Sequence, residues 1–202
     1  MAYIKFSIVI GLCLGLVVGC AGTGEAPTES ASAQAAAKKE SQIPPQARQE
    51  YETALEAMRA GNNDKAKTLL TSLAQTYPTL SGPQTNLGLI YFREGKIDEA
   101  EAAFKQAIKV NPNSAVSFNH LGIINRGKGN FNEARDNYAQ ALQINSDYAY
   151  AHLNIGILYD LYLGELDKAL QHYQRFQELS PEQDPEVNKW IVDLERRIKS
   201  AQ

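Results

Sequence analysis

The stretch Asn86–Pro112, NLGLIYFREGKIDEAEAAFKQAIKVNP, decides the fold. Its Leu87-Gly88, Tyr91, Gly95, Ala100, Phe104, Ala107 and Pro112 sit at the offsets of a helix–turn–helix unit. Such a unit leaves one apolar face bare, so it folds only if copies stack beside it. Copies are present. Gly122 follows Gly88 by 34 residues, and Gly156 follows Gly122 by 34. Ala134 and Tyr138 stand 34 after Ala100 and Phe104, while Ala66 and Pro78 stand 34 before Ala100 and Pro112. Ala54 takes the place of the glycine in the first copy.

A period of about 34 residues carrying these residue types resembles the tetratricopeptide repeat. The resemblance implies an all-α, right-handed α-solenoid. Four hairpins are expected at 47–80, 81–114, 115–148 and 149–182, followed by a capping helix over 183–202. Small residues such as Gly88, Ala100, Gly122, Ala134, Gly156 and Ala169 let neighbouring helices approach, and Leu87, Tyr91, Phe104, Tyr138, Tyr159 and Tyr173 fill the space between them. Asp64 is expected to start the second helix of the first hairpin. Asp184-Pro185-Glu186 is expected to start the capping helix, with Trp190 as a packing residue on its apolar face.

Two irregularities interrupt the pattern. Asn125 occupies the slot that holds Tyr91 and Tyr159 in the neighbouring units, which predicts looser packing or a polar partner. From Gly156 to Ala169 the step is 13 residues, whereas Gly88 to Ala100 and Gly122 to Ala134 are 12. One extra residue within Tyr159–Gly164 predicts a bulge or a lengthened turn, and Phe176, where earlier units have Ala107 and Ala141, is expected to fill the space it opens.

Residues 1–19 carry Lys5 and then the apolar run FSIVIGLCLGLVVG, the composition of a secretory signal peptide. At about 14 residues that run is short for a membrane span, which needs roughly 20. It ends Val17-Val18-Gly19-Cys20, which resembles the bacterial lipobox. The resemblance implies cleavage before Cys20, acylation of Cys20 and a bacterial envelope location. With Ala21 rather than aspartate next, the family rule points to the outer membrane, facing the periplasm. Residues 20–46 hold almost no large apolar side chains and are expected to form a disordered tether.

The formal charge is −3, or −4 once residues 1–19 and their Lys5 are removed, and no basic patch is visible; nucleic-acid binding is not expected. No phosphate loop, HExxH, GxSxG or CxxC motif occurs. The three histidines, His120, His152 and His172, fall on three different predicted helices, so no metal, no cofactor, no catalytic residue and no small-molecule substrate are expected.

In tetratricopeptide proteins the first helix of each hairpin lines a concave face that takes extended peptides or partner helices. The resemblance carries that role onto Tyr51, Leu55, Arg59, Thr85, Asn86, Leu89, Phe92, Arg93, Asn119, His120, Ile123, Arg126, Tyr150, Leu153, Asn154 and Ile157. Asn86, His120 and Asn154 recur at steps of 34 and form a polar row, expected to clamp a peptide backbone. Arg59 and Arg93 are also 34 apart, with Arg126 one short of the next step, a spacing suited to an acidic stretch of ligand. The expected function is that of a non-enzymatic, membrane-anchored scaffold similar to the pilotin-like lipoproteins of pilus and secretin assembly, which bind a protein segment. The alternatives are an adaptor for envelope peptidoglycan hydrolases or proteases, and a hydrolase acting through His120 or His152. The last is disfavoured because no nucleophile–base–orienter set can be placed there.

Overall fold

The structure, a computed structural model, describes residues 43–201. The signal peptide assigned to 1–19, the acylated Cys20 and most of the tether to 46 lie outside the described residues. Nine α-helices follow one another, with no strand among the described residues. They are α1 (Pro45–Arg59), α2 (Asn63–Thr76), α3 (Ser81–Arg93), α4 (Ile97–Val110), α5 (Ala115–Gly127), α6 (Phe131–Ile144), α7 (Ala149–Leu158), α8 (Leu166–Leu179) and α9 (Pro185–Ser200). Between α7 and α8 runs one π-helical segment, Tyr159–Leu163. Helix α1 thus starts at Pro45, two residues inside the stretch read as tether, because proline suits the first turn of a helix.

The helices pair as hairpins, α1 with α2, α3 with α4, α5 with α6 and α7 with α8. Each second helix also packs on the first helix of the next hairpin, and α3 touches α5 directly as α5 touches α7. This is the stacked solenoid that the 34-residue period predicts. Its hairpins are held by one repeated contact. A Cβ added at Gly88, Gly122 or Gly156 would lie 2.6, 2.5 or 2.7 Å from a ring atom of Phe104, Tyr138 or Tyr173. Only a residue without a side chain lets the fully buried ring lie that close to the facing helix. Burying each ring contributes about 1.5–3 kcal/mol.

The hairpin turns close on Gly61, Gly95, Gly129 and Gly164, all at positive φ. Helix α2 is capped by Asn62, whose side chain accepts from the Lys65 N–H at 3.2 Å, and Asp64 sits in the first turn, where its charge faces the helix dipole. Asn125 has a polar partner, accepting from Asn130 Nδ2 at 3.3 Å. The extra residue of the fourth unit is absorbed as the π-helical segment, ended by Gly164 at φ 68°. Tyr159 stays buried there, while Leu161 and Tyr162 turn outward.

Helix α9 seals the stack by burying Val187 and Leu194 against the last hairpin. Asp184 caps it, accepting from the Glu186 and Val187 N–H groups at 2.8 and 3.3 Å. The buried Gln177 amide locks the entry: it donates to the Asp184 carbonyl and to Asn188 Oδ1 and accepts from the Asp184 N–H. Trp190 lies against Tyr173 with ring centroids 5.5 Å apart, yet remains 39 % exposed, more open than a packing residue should be.

The same buried ring position is filled three ways. Phe104 needs no partner, and the Tyr173 hydroxyl bonds Asp160. The Tyr138 hydroxyl is buried without one, and burial pushes it up to about 12. Tyr138→Phe should therefore raise unfolding stability by about 1 kcal/mol in urea titration, because a desolvated, unbonded hydroxyl is removed and the ring kept.

His152 and His172 meet across the α7–α8 hairpin, Nδ1 to Nδ1 at 2.9 Å. His152 donates from Nε2 to the Ser146 carbonyl at 3.0 Å, so its Nδ1 accepts from His172. Burial, and then the charge of His152, hold the His172 imidazole down to about 4 from an ordinary 6.5. The unfolded chain then binds more protons between those values, and stability falls as pH drops from about 6.5 to about 4. Thermal melts should show that decline in the wild type, with a shallower one in His172→Gln.

Candidate functional site

The first helices present a continuous row of side chains, bound to one another by polar contacts that span neighbouring hairpins. Asn86 Nδ2 donates to the Tyr51 hydroxyl at 2.5 Å and to the Gly82 carbonyl at 3.1 Å. Thr85 Oγ1 lies 3.2 Å from the buried Ser117 hydroxyl, which accepts from Ser114. Asn154 Nδ2 donates to Asn119 Oδ1 at 3.1 Å, and Asn119, only 2 % exposed, also bonds Tyr148. Hydrogen bonds of this kind, inside a packed surface, set one helix's height against the next.

That arrangement corrects the expected clamp. Both amide hydrogens of Asn86 are engaged within the scaffold, one amide hydrogen of Asn154 is, and Asn119 is buried beneath the surface it was expected to line. His120 is held too: Nδ1 donates to the Val116 carbonyl at 2.9 Å, and its ring stacks on Phe104 at 5.1 Å and meets the Phe92 edge at 5.8 Å. Burial, with the Arg93 charge as a smaller cause, keeps its imidazole below the usual range although the Val116 carbonyl pulls the other way. The row of 34-residue steps exists, and its work is to join hairpins.

The remaining groove positions keep accessible surface. Leu55, Leu89, Phe92, Ile123, Leu153 and Ile157 are half-buried, and Tyr150 is exposed. Arg59 and Arg93 end α1 and α3 as exposed side chains, and Arg126 lies in the last turn of α5. A cation at a helix C-terminus complements the dipole. None of the three meets a carboxylate among the described residues; Arg126 donates only to the Asn154 carbonyl, at 3.3 Å. Several cations outside the row are paired. Lys67 bonds Glu94, Lys128 bonds Glu101 and Arg175 bonds Asp147, at 2.8, 2.6 and 2.6 Å. The next position in register with Arg126 is Asp160, which the α9 residue Arg197 neutralises at 2.8 Å.

Among the described residues no three His, Cys, Asp or Glu side chains converge as a metal site would require, and no helix is long and apolar enough to cross a membrane. The His152–His172 contact and the Asp160–Arg197 pair were not anticipated from sequence. The first had a signal: positions 152 and 172 lie on the two arms of one hairpin, which face each other.

Tetratricopeptide repeat profiles match residues 79–147 and 113–182, and another matches 33–79, beginning within the stretch read as tether. No curated protein matches the chain. Among solved structures, pilF of Pseudomonas aeruginosa superposes with a TM-score of 0.65 at 18% identity, over 76% of this chain and 69% of that one. MamA of Desulfovibrio magneticus RS-1 gives 0.64 at 18% identity, over 78% and 88%. The first tetratricopeptide domain of Spaghetti (RPAP3), solved with the HSP90 peptide SRMEEVD, gives 0.54 at 22% identity, over 59% and 93%. At such identities the likeness concerns the fold alone, and together with the repeat profiles it leads to one conclusion: the chain belongs to the tetratricopeptide repeat family.

Proposed function

We propose that this chain is a non-enzymatic docking protein of the bacterial envelope, lipid-anchored through Cys20, that holds an acidic segment of a protein partner along its first helices. The observation that carries the reading is the row Arg59, Arg93 and Arg126, three guanidinium groups near the ends of successive first helices that meet no carboxylate among the described residues. A guanidinium can take a carboxylate through two parallel N–H donors, so a row of them favours an extended acidic stretch over a single charge. The Spaghetti domain, of the same fold, was solved bound to a peptide that contains two glutamates and an aspartate. The likeness to pilF, with the lipobox-like Val17–Cys20, supports placement at the outer membrane in pilus or secretin assembly.

Replacing Arg59, Arg93 and Arg126 together by Gln should remove the main crosslinked partner in intact envelopes while shifting the melting temperature by only a few degrees. A partner captured equally by the variant would retire the arginine row. The anchor is tested apart from it. Cys20→Ser should abolish palmitate labelling and release the protein from sedimented membranes, and a wild-type protein that neither labels nor sediments overturns the envelope placement.

A further inference from the structure

Helix α9 is more than a plug. Asn188, Lys189, Val192 and Arg196 stand 35 residues after Leu153, Asn154, Ile157 and Leu161, one more than the repeat step because the π-helical segment adds one residue. Leu194 falls 35 after Tyr159 and is buried as Tyr159 is. Helix α9 also packs on α8 as α3, α5 and α7 pack on the helices before them. It is a fifth first helix, without a hairpin partner among the described residues. Its Ile191 stands 35 after Gly156, where a side chain is allowed because no second helix of its own brings up a ring.

Along the extended row, charge and apolar surface are divided. Arg59, Arg93 and Arg126, which meet no carboxylate among the described residues, lie on α1, α3 and α5. All the large hydrophobic side chains that stand exposed among the described residues come from α5 onward, and the three most open, Leu161 and Val192 at 66% each and Tyr150 at 64%, belong to the fourth hairpin and α9. At this end Lys189 bonds Glu186 at 2.6 Å, and Arg196 bonds Asp193 at 2.5 Å. One end of the row offers guanidinium groups, and the other offers exposed apolar side chains beside cations that are paired.

We propose that the docking face continues onto α9 and takes a two-part polypeptide segment, acidic along α1–α5 and apolar along α7–α9. This rests on the arginine docking described above and specifies its ligand. Charge complementarity selects the acidic half, and the open side chains select the apolar half: Leu161 shares the repeat phase of Arg93, and Val192 that of Ile123 and Ile157, so both extend the first-helix row.

The test uses the full chain in lipid nanodiscs and fluorescence anisotropy with labelled 16-residue peptides. One peptide carries four glutamates followed by leucines and phenylalanine, a second reverses that order, a third has the glutamates alone, and a fourth the apolar half alone. One of the two-part peptides should bind at least tenfold tighter than the acidic one. Leu161→Asp and, separately, Val192→Asp, both at open positions, should remove that gain and leave binding of the acidic peptide unchanged. If the two-part and acidic peptides bind equally, or neither variant has an effect, the extension onto α9 is wrong and the arginine docking stands. If no acidic peptide binds, both fail. Self-association of the chain that Val192→Asp abolishes makes a second copy the occupant and also overturns the proposal.

Discussion

The structure depends on one contact made three times, a ring of the second helix lying against a glycine of the first. Because Gly88, Gly122 and Gly156 have no side chain, Phe104, Tyr138 and Tyr173 fix the distance between the arms of each hairpin. Once the arms are fixed, the apolar surface they leave uncovered is the same in every copy. Stacking therefore becomes repetition of one interface, and the first helices come to share a face. That shared face is a consequence of the packing. The first hairpin has Ala54, buried completely, at this place, and there the facing residue is Leu70 instead of a ring, so a Cβ is accommodated.

Polar groups then add what apolar packing cannot, a defined register between hairpins. The Asn86–Tyr51 and Asn119–Asn154 bonds each link residues 35 apart, one more than the repeat, because each ties one first helix to the neighbouring one a single residue further on. Their burial makes them directional, and an amide deprived of its partner there would cost about 1–3 kcal/mol. The same residues read as ligand clamps when only the 34-residue step is considered. Equal phase guarantees equal position, and it is silent on whether a polar atom faces solvent or the next helix.

Periodicity made the hairpins, their turns, the close glycines and the lengthened fourth unit legible, because each follows from spacing alone. The first-helix row was legible as a place. Its chemistry was less so, since that depends on which side chains satisfy one another across hairpins. The 34-residue step from Arg59 to Arg93, with Arg126 one short of the next, is legible as spacing, yet only three-dimensional placement reveals that no carboxylate among the described residues reaches them while Arg197 reaches Asp160. Trp190 departs from expectation for a similar reason: it holds the phase of Leu87, Leu121 and Ile155, which a second helix covers in their own hairpins, and α9 has none.

The extra residue in Tyr159–Leu163 connects these features. A π-helical turn widens the helix by one residue, which carries Leu161 and Tyr162 outward while Tyr159 keeps its buried place beneath His172, 5.7 Å away and nearly parallel. It also holds Asp160, where Arg197 and the Tyr173 hydroxyl both reach it. A carboxylate at the phase of Arg126 would otherwise repel the acidic segment proposed for the arginine row; neutralised by α9, it becomes a tie between the last hairpin and the lid. The insertion thus ends the charged part of the row, begins its apolar part, and fastens the helix that extends it.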